Sequence, residues 1–431
     1  MFHSYEETLY YLYESLPMFQ RIGPAALKPN LKNTLRLCEA FGNPQHNFKS
    51  VHIAGTNGKG STSHMLASIM QEAGYKTGLY TSPHLKSFTE RIRVNGVEIS
   101  KDFVVDFTNR VKPHIASIHP SFFEITVVMA FEYFASVKVD IAIIETGLGG
   151  RLDSTNVITP VLSLITNIGM DHQDLLGDTI EKISREKAGI IKPAIPVVIS
   201  ERQGDVDKVF EEVSGNLSSP VIFASDFFSV SANDGDLNGT LVISRVGEPI
   251  KRIINLPLKG FYQRKNLLGV IQAVEILSTK GWSIDDKAIM RGIEGVVVNT
   301  GLKGRWQILK ERPLIVCDTA HNVDGIREVV AQINAQTYEH LYIIFGVVKD
   351  KDVSSILKML PRNATYYFCQ ASIPRAMDAH QLAARAAVHG LTGKVVLNVN
   401  DAVRMASNEA SENDMIFVGG STFVVADIDN L

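Results

Sequence analysis

The sequence predicts an α/β protein that combines a P-loop-type N-terminal domain, with a mostly parallel sheet and a small antiparallel hairpin region, and a smaller Rossmann-like C-terminal domain. Short apolar runs rich in β-branched residues alternate with helical patterns along the chain. A glycine-rich loop at 55–61 lies between a strand pattern and a helix pattern. A second alternating series begins near residue 305. Such alternation is typical of parallel sheets covered by helices.

In the N-terminal part, near-continuous apolar runs stop at glycine or polar residues, as in strands buried on both faces. The predicted strands are 51–55, 76–82, 139–150, 161–169, 195–200 and 220–225. Apolar spacing predicts helices over 61–74 and 264–281, each ending at glycine. Residues 228–247 alternate instead and contain Asn238-Gly239, which predicts an antiparallel hairpin.

The second series predicts a doubly wound α/β unit. Its strands are 314–318, 341–346, 365–370, 394–399 and 414–420. A chain of 431 residues exceeds the size of one hydrophobic core. We therefore assign residues 1–298 to one domain and 304–431 to the other, with a linker at about 297–305. Clefts between such domains are common ligand sites, and we expect the linker to bend when ligands bind.

Composition narrows the class of function. A net charge of −3 does not favour nucleic acid as a partner. Three distant cysteines fit a reducing cytoplasm better than a disulfide framework. The acidic N-terminal stretch does not fit a secretory signal, and no apolar run has the ~20 residues of a membrane helix. We expect a cytoplasmic monomer without membrane or nucleic-acid partners.

The loop Gly55-Thr56-Asn57-Gly58-Lys59-Gly60-Ser61 has the features of a phosphate site. Glycines let backbone N–H groups point at phosphate oxygens, the following helix contributes its positive end, and Lys59 adds a charge. The spacing departs from G-x-x-x-x-G-K-[ST], because the first glycine is closer and Gly60 intervenes before Ser61. A glycine-rich turn without a ligand is the alternative.

Other candidate residues are ambiguous by position alone. Glu145 follows the apolar run 139–144, where it is either a Mg²⁺ ligand at a strand end or a solvated acid. His172 follows the run 161–170, and a lone histidine is more often structural than ligating. Ser82 precedes Pro83 as a turn residue would, and Lys187 has the pattern of a helix-surface charge.

The loop spelling and several further stretches, taken together, resemble the Mur ligase superfamily of ATP-dependent amide ligases, and within it folylpolyglutamate synthase and the bifunctional dihydrofolate synthase. The stretches follow the family's order from about Leu27 to Ser421. They are FGNPQHNF (41–48), TSPHLKSFTERIRVNG (81–96), ETGLGGRLDSTN (145–156), NIGMDHQDLLG (167–177), EKAGIIK (186–192), GRWQ (304–307) and DTAHN (318–322).

The resemblance implies ATP and two Mg²⁺ ions as cofactors. It makes Ser82 and Glu145 ligands of one ion, His172 a ligand of the second, and a carbamylated Lys187 a ligand beside the metals. Carbamylation would turn a cation into an anionic oxygen ligand. An unmodified Lys187 paired with the phosphates is the alternative. Lys59, His172, Lys187 and Arg305 are the implied catalytic residues.

The family's nucleotide contacts also transfer residue by residue. In the ATPase domain they are Asn57, Gly58, Lys59, Gly60, Ser61 and Asn266. Arg305 and Asp318 are implied to contact ATP from the C-terminal domain. Thr319 is a departure, because the family usually has Gly or Ser there.

The implied acid substrate is a pteroate or folate, and the implied amine is L-glutamate. His321 and Ser421 are the glutamate candidates. Phe123 would stack on the pterin ring and Asp153 would lie beside it, although core packing is the alternative for Phe123. The complete pterin set is Leu27, Lys28, Pro29, Ser121, Phe122, Phe123, Glu124, Leu152, Asp153 and Ser154.

The resemblance implies a ligase that joins L-glutamate to dihydropteroate and to the γ-carboxyl of reduced folates through an acyl phosphate. Four alternatives remain open: the glutamate-chain activity only, another Mur-type amino-acid ligase, a nucleotide-dependent switch and an ATP-binding scaffold. Peptidoglycan-precursor ligases usually carry an extra N-terminal domain, whereas about fifty residues precede the loop here.

Overall fold

The computed structural model describes residues 1–26, 28, 30–232, 240–248, 251–349, 351–429 and 431. The chain divides into two compact units. The first unit comprises 1–169, 173–257 and 263–301, and the second comprises 170–172, 258–262 and 302–431. Each unit has its own sheet and core, so each is described by itself.

The first unit is built on a mostly parallel sheet. Its eight strands in the described ranges are β1 (Lys49–Ala54), β2 (Thr77–Tyr80), β3 (Ile92–Val94), β4 (Val97–Glu98), β5 (Ile141–Glu145), β6 (Leu162–Ile165), β7 (Val197–Ile199) and β8 (Val221–Phe223). They are ordered β4-β3-β2-β5-β1-β6-β7-β8, and only the β2–β3 and β3–β4 pairs are antiparallel. All five residues of β5 are buried, as the apolar run predicts for a strand covered on both faces.

Helices cover this sheet. In chain order they are α1 (Tyr5–Ser15), α2 (Phe19–Ile22), α3 (Lys32–Ala40), α4 (Lys59–Glu72), α5 (Lys101–Ile118), α6 (Phe122–Ser136), α7 (Gln173–Leu176), α8 (Ile180–Ala188), α9 (Asp205–Asn216), α10 (Gln263–Thr279), α11 (Asp286–Glu294) and α12 (Val296–Thr300). Short 3-10 helices lie at Gly23–Ala26, Pro44–His46, Phe88–Arg91, Ser154–Val157 and Ala224–Asp226. The predicted helices at 61–74 and 264–281 correspond to α4 and α10.

A small antiparallel sheet confirms the predicted hairpin region. Strands β9 (Phe228–Ala232), β10 (Thr240–Arg245) and β11 (Lys251–Asn255) pair in the order β11-β10-β9. The Asn238-Gly239 turn lies outside the described residues. The third strand, β11, was not predicted.

The second unit has its own doubly wound sheet. Its strands are β12 (Gln307–Glu311), β13 (Leu314–Cys317), β14 (Leu341–Phe345), β15 (Thr365–Phe368), β16 (Gly393–Val395) and β17 (Met415–Gly419), ordered β12-β13-β17-β14-β15-β16. Its helices are α13 (Val323–Asn334), α14 (Val353–Met359), α15 (Ala379–Val388), α16 (Val399–Glu409) and α17 (Thr422–Asp427). All strand pairs except β12–β13 are parallel, which confirms the predicted Rossmann-like class.

Two local predictions differ from the structure. The proposed linker begins inside α12, which ends at Gly301 with φ 67°, and the change of unit follows between Gly301 and Leu302. His172 does not end a strand, because β6 stops at Ile165 and His172 lies in the loop before α7. None of the helices in the described ranges is both long and apolar enough to cross a membrane.

Candidate functional site

The glycine-rich loop connects β1 to α4 and is anchored by the residues that follow β6. The backbone N–H groups of Thr56 and Asn57 donate to the backbone and side-chain oxygens of Asn167, at 2.8 and 2.9 Å. The hydroxyl of Thr166 donates to the carbonyl oxygen of Asn57 at 2.6 Å. These contacts hold the loop at the carboxyl edge of the parallel sheet, where ligands bind in such folds.

Two loop positions require glycine. Gly58, with φ 86°, caps α4, and a Cβ there would lie 2.1 Å from Oδ1 of Asn266. Gly55, with φ 151°, would place a Cβ 1.8 Å from Oγ1 of Thr166. At these two positions the loop lies against its neighbours with backbone only, which leaves its N–H groups close to the start of α4.

Asn266 reaches the loop through a short polar chain. Its side-chain amide donates to Oε1 of Gln263 at 2.8 Å, and Gln263 donates to Oγ of Ser61 at 3.1 Å. All three side chains are buried. The structure thus brings the predicted nucleotide residues Asn266, Gly58 and Ser61 together, and it adds Gln263, which the sequence patterns did not single out.

Two lysines meet at the same loop carbonyl. Nζ of Lys59 donates to the carbonyl oxygens of Gly55 and Thr56, at 3.1 and 3.2 Å. Nζ of Lys187 donates to the carbonyl oxygen of Gly55 at 2.8 Å. Lys187 is only 3% exposed, so it is not the helix-surface charge that its pattern alone suggests. Both ammonium groups add positive charge beside the predicted phosphate site.

Ser82 and Glu145 are adjacent. They follow β2 and end β5, which pair in parallel, and the N–H of Ser82 donates to Oε2 of Glu145 at 3.1 Å. Glu145 is buried and is the register partner of Ile53, two residues before the glycine-rich loop. A hydroxyl and a carboxylate are hard oxygen donors, so this pair fits Mg²⁺ completed by water and phosphate oxygens.

The residues proposed for the second ion belong to different units of the chain. His172 belongs to the second unit, whereas Lys187 belongs to the first. Among the described residues, no group of three or more His, Cys, Asp or Glu side chains is arranged to hold a metal. Lys187 contributes an N–H donor in its unmodified form, so its role as a carbamylated ligand stays a prediction.

The predicted pterin residues at 121–124 form the start of α6. Ser121 and Glu124 make a reciprocal capping box, in which the Ser121 N–H donates to Oε2 of Glu124 at 2.7 Å and the Glu124 N–H donates to Oγ of Ser121 at 3.3 Å. Burial raises the pKa of the Glu124 carboxyl. The positive charge of Lys28 opposes this effect and lowers the pKa of Glu124. The side chains of Ser121 and Glu124 therefore both stabilise the start of α6.

The two phenylalanines of α6 differ in environment. Phe122 is buried in the core and contacts Tyr13, with ring centroids 5.6 Å apart. Phe123 is partly buried, lies 6.3 Å from the Tyr80 ring, and faces Gly147 so closely that a Cβ there would lie 2.4 Å from its ring. Phe123 thus retains an accessible ring, as a stacking surface requires, while Phe122 packs the wall behind it.

Asp153 organises the loop after β5. Its carboxylate accepts from the N–H of Leu148 at 2.8 Å and from the N–H and hydroxyl of Thr155 at 3.0 and 2.5 Å. Thr155 in turn contacts Nε2 of buried His52 at 2.8 Å. Burial raises the pKa of Asp153. The neighbouring Ser154 is buried and Leu152 is 37% exposed.

Two of the predicted pterin residues, Leu27 and Pro29, lie outside the described residues. Lys28, which lies between them, is half-buried. The roles of all these residues as pterin contacts stay predictions.

In the second unit, Asp318 lies at the end of β13 and is 2% exposed. Its Oδ2 accepts from the hydroxyl of Tyr262 at 2.6 Å and from the N–H of Trp306 at 2.7 Å. Its Oδ1 accepts from the N–H of Ala320 at 2.8 Å. Burial raises the pKa of Asp318, and the Tyr262 hydroxyl is the largest opposing contribution. Tyr262 was not predicted as a site residue.

Arg305 contacts Thr319, the residue that departs from the pattern of the family that the motifs resemble. The guanidinium donates to the hydroxyl of Thr319 and, at 3.3 Å, to the carbonyl oxygen of Gly304. A glycine at position 319 could not form the hydroxyl contact. A serine, which is also usual there, would provide a hydroxyl as well, so Thr319 keeps this kind of partner for Arg305.

His321 belongs to a charged cluster that the sequence patterns did not reveal. Oδ1 of Asp171 accepts from Nζ of Lys351 at 2.5 Å, and its Oδ2 accepts from the Asn322 amide at 3.1 Å and lies 3.6 Å from Nε2 of His321. Burial favours a higher pKa for Asp171, but the His321 hydrogen bond and the Lys351 charge outweigh it and hold the pKa well below its usual range.

Ser421, the other glutamate candidate, is buried at the start of α17, and its hydroxyl accepts from the N–H of Phe423 at 3.1 Å. Its hydroxyl therefore caps the helix. Asp171 and Lys351 were missed although they lie in the polar stretches GMDH and VKDKD, because separations of this length give no local pattern.

The chain is similar to known proteins over most of its length. Residues 53–274 match the Mur ligase middle domain, and residues 304–422 match the Mur ligase glutamate ligase domain. The dihydrofolate synthase/folylpolyglutamate synthase of Bacillus subtilis (strain 168) is 34% identical over 413 residues, covering 93% of this chain and 94% of that protein.

Two solved structures have the same fold over nearly the whole chain. Escherichia coli FolC in complex with DHPP and ADP has a TM-score of 0.86 at 28% identity, covering 98% of this chain and 96% of that chain. A bifunctional folylpolyglutamate synthase/dihydrofolate synthase with Mn, AMPPNP and L-glutamate bound has a TM-score of 0.82 at 28% identity, covering 98% and 97%. The resemblance inferred from the motifs is confirmed.

Proposed function

The chain belongs to the Mur ligase family, in its folylpolyglutamate synthase/dihydrofolate synthase branch, and on that premise we propose that it is an ATP-dependent ligase joining L-glutamate to dihydropteroate and to the γ-carboxyl of reduced folates. One observation supports the proposal most directly. The glycine-rich loop, Lys59, Lys187 and the Ser82–Glu145 pair lie together at one edge of the first sheet. The relatives' bound ADP, AMPPNP, Mn and L-glutamate support it.

The first step activates the acid. A carboxylate oxygen of the pterin acid attacks the γ-phosphorus of ATP, the bond to the ADP oxygen breaks, and an acyl phosphate forms. Such a transfer depends on positioning and charge neutralisation. We propose that the loop N–H groups hold the phosphates and that Lys59 moves its donors from the carbonyl oxygens of Gly55 and Thr56 to phosphate oxygens.

The second step forms the amide. The amine of L-glutamate attacks the acyl carbon, loses its proton, and inorganic phosphate leaves from the tetrahedral intermediate. In the second unit, His321 and Ser421 are the proposed glutamate residues, and Arg305 and Asp318 are the proposed nucleotide residues. The partly buried ion pair of Asp171 and Lys351 supports a rigid arrangement around His321.

Ser82 and Glu145 are the residues that would hold Mg²⁺, on the ground that the Ser82 backbone contacts the Glu145 carboxylate and both side chains carry hard oxygens. A divalent ion bound there would neutralise phosphate charge. On the protein side, the buried Lys187 holds the loop backbone through its contact with the carbonyl oxygen of Gly55.

The two activities are tested by product mass. The protein is incubated with ATP, Mg²⁺ and L-glutamate, in one reaction with dihydropteroate and in another with tetrahydrofolate. We expect both acids to gain a glutamyl group, and we expect phosphate release to require both the acid and glutamate. Product from tetrahydrofolate only would reduce the function to folylpolyglutamate synthase. Phosphate release that is indifferent to both substrates would contradict the ligase.

A further inference from the structure

Arg91 carries a buried positive charge that the functions above do not use. It ends the 3-10 helix Phe88–Arg91 and is 3% exposed. Its Nε donates to Nδ1 of His84 at 2.8 Å, and its guanidinium carbon lies 5.3 Å from the centre of the Phe122 ring. Within the part of the chain that the structure describes, no carboxylate forms an ion pair with this guanidinium.

The neighbouring Arg93 has the ion pair with a carboxylate that Arg91 lacks among the described residues. Arg93, two residues further along, is also buried, but it pairs with Glu98 at 2.9 Å and donates to the carbonyl oxygen of Gly96 at 3.1 Å. Arg91 instead has the phenols of Tyr80 and Tyr13 near it, and Glu145 attracts it only from beyond ion-pair distance. A buried charge without a counter-ion is costly, and neutral rings and phenols compensate only part of that cost.

The position of Arg91 connects two parts of the proposed site. Its carbonyl oxygen accepts from the N–H of Thr81 at 3.0 Å, directly before the candidate metal ligand Ser82. On its other side it lies over Phe122, which precedes the candidate stacking residue Phe123. Arg91 therefore contacts the segment before Ser82 through its carbonyl oxygen and the ring before Phe123 through its guanidinium.

We propose that Arg91 is a substrate-binding residue that pairs with the carboxylate of the pterin acid before that carboxylate is phosphorylated. Nε is committed to His84 and the Tyr80 phenol lies beside the guanidinium, so a carboxylate would meet the remaining terminal N–H donors. Such charge-assisted pairs are strong in a water-poor environment. The acid substrate completes the charge balance that the chain leaves open. This inference rests on the proposed function.

A purely structural role is the competing explanation. The contact with the Phe122 ring could serve only to hold the start of α6. The two explanations differ in one respect. Substrate pairing makes the protein discriminate between a charged acid and a neutral analogue of the same shape, whereas a structural role affects both molecules equally.

The test uses pteroic acid and its neutral carboxamide as probes. Their dissociation constants are measured by pterin fluorescence with Mg²⁺ and ADP present, for the wild type and for Arg91→Gln, Arg91→Lys and the matched control Arg93→Gln. We expect the wild type to prefer the acid by about tenfold to a hundredfold, as one charge-assisted pair would give. Arg91→Gln should bring the ratio close to unity, Arg91→Lys should give an intermediate ratio, and Arg93→Gln should keep the wild-type ratio.

The outcomes distinguish a failure of the proposed role of Arg91 from a failure of the proposed ligase function. If Arg91→Gln weakens both probes equally, or the wild type binds both equally, the role of Arg91 is overturned while the ligase proposal stands. If the wild type binds neither probe but remains folded by circular dichroism, the ligase proposal itself fails. If Arg91→Gln does not fold, Arg91→Lys decides, because an unchanged preference there would contradict pairing by the guanidinium fork.

Discussion

Nζ of Lys187 donates a hydrogen bond to the carbonyl oxygen of Gly55 at 2.8 Å, which ties the last turn of α8 to the first residue of the glycine-rich loop. The same carbonyl accepts from Lys59 at 3.1 Å. A lysine that is far away in the sequence is thereby brought to the loop. Lys187 is buried, so this contact is shielded from bulk water.

We predict that Lys187 is carbamylated in the presence of bicarbonate. A carbamate retains an N–H that can still donate to Gly55. The measurement is ¹³C NMR of the protein equilibrated with ¹³C-bicarbonate, where we expect a carbamate resonance that is absent from Lys187→Arg. Identical spectra for the two proteins would show that Lys187 acts as an unmodified cation.

Gly58→Ala should abolish tight ATP binding. Alanine at φ 86° costs ~1–3 kcal/mol of backbone strain, and its Cβ would collide with Oδ1 of Asn266. Gly74→Ala is the matched control, because Gly74 has φ 88° but a Cβ added there would meet no neighbouring atom of the described residues within 4 Å. Calorimetric titration with ATP should separate the two variants. Equal losses of affinity would mean that strain alone, and not the Asn266 contact, explains the requirement for glycine.

Stability should fall between neutral and mildly acidic pH because of His52. Burial, with a smaller contribution from Lys192, lowers the pKa of His52 to about 3 from 6.5. The unfolded chain therefore binds a proton in this window that the folded chain does not. The stabilising contribution is complete above pH 6.5 and is lost as pH falls towards 3, at up to ~1.4 kcal/mol per pH unit.

Urea unfolding at several pH values between 7.5 and 5 measures this slope. His52→Gln should remove the histidine contribution and flatten the curve, whereas the exposed His380→Gln should leave it unchanged. A His52→Gln curve parallel to the wild type would refute the assignment.

Asp171→Asn should impair the use of glutamate selectively. The substitution leaves the partly buried ammonium of Lys351 without its carboxylate, which is destabilising, and it loosens His321. We expect the KM for glutamate to rise by about tenfold or more while the KM for ATP stays unchanged. Asp401→Asn, which breaks an exposed pair with Arg404 in the same unit, is the control and should change neither value. A fall in kcat with both KM values unchanged would exclude a role in positioning for glutamate.

The strands with continuous apolar runs were predictable, because burial on both faces excludes polar residues from them, as in β5 and β14. Strands β3, β4 and β12 were not predicted, because β3 and β4 span only three and two residues, and β12 is a partly exposed edge strand whose pattern resembles a loop. Helix α12 was assigned to a linker because its five residues and its terminal Gly301 gave no periodic signal.

In the site, local motifs predicted the residues that lie together within one short segment of the sequence. The glycine-rich loop and Glu145 at its strand end were predicted from the order of residue types, and β1 and β5 bring them side by side. Ser121 and Glu124 show the limit of such inference, because residues matched to a pterin pocket use their polar groups on each other in a capping box.

The sequence by itself determined the α/β class, the loop and the family, because backbone conformation and strand burial depend on residue types at short spacing. Only the tertiary structure decided that Lys187 reaches Gly55, that Asp171 pairs with Lys351, and that Arg91 is buried without a carboxylate partner in the described residues. The physical reason is that charge balance is settled between side chains that distant segments bring together, and no local pattern records which charges will be compensated.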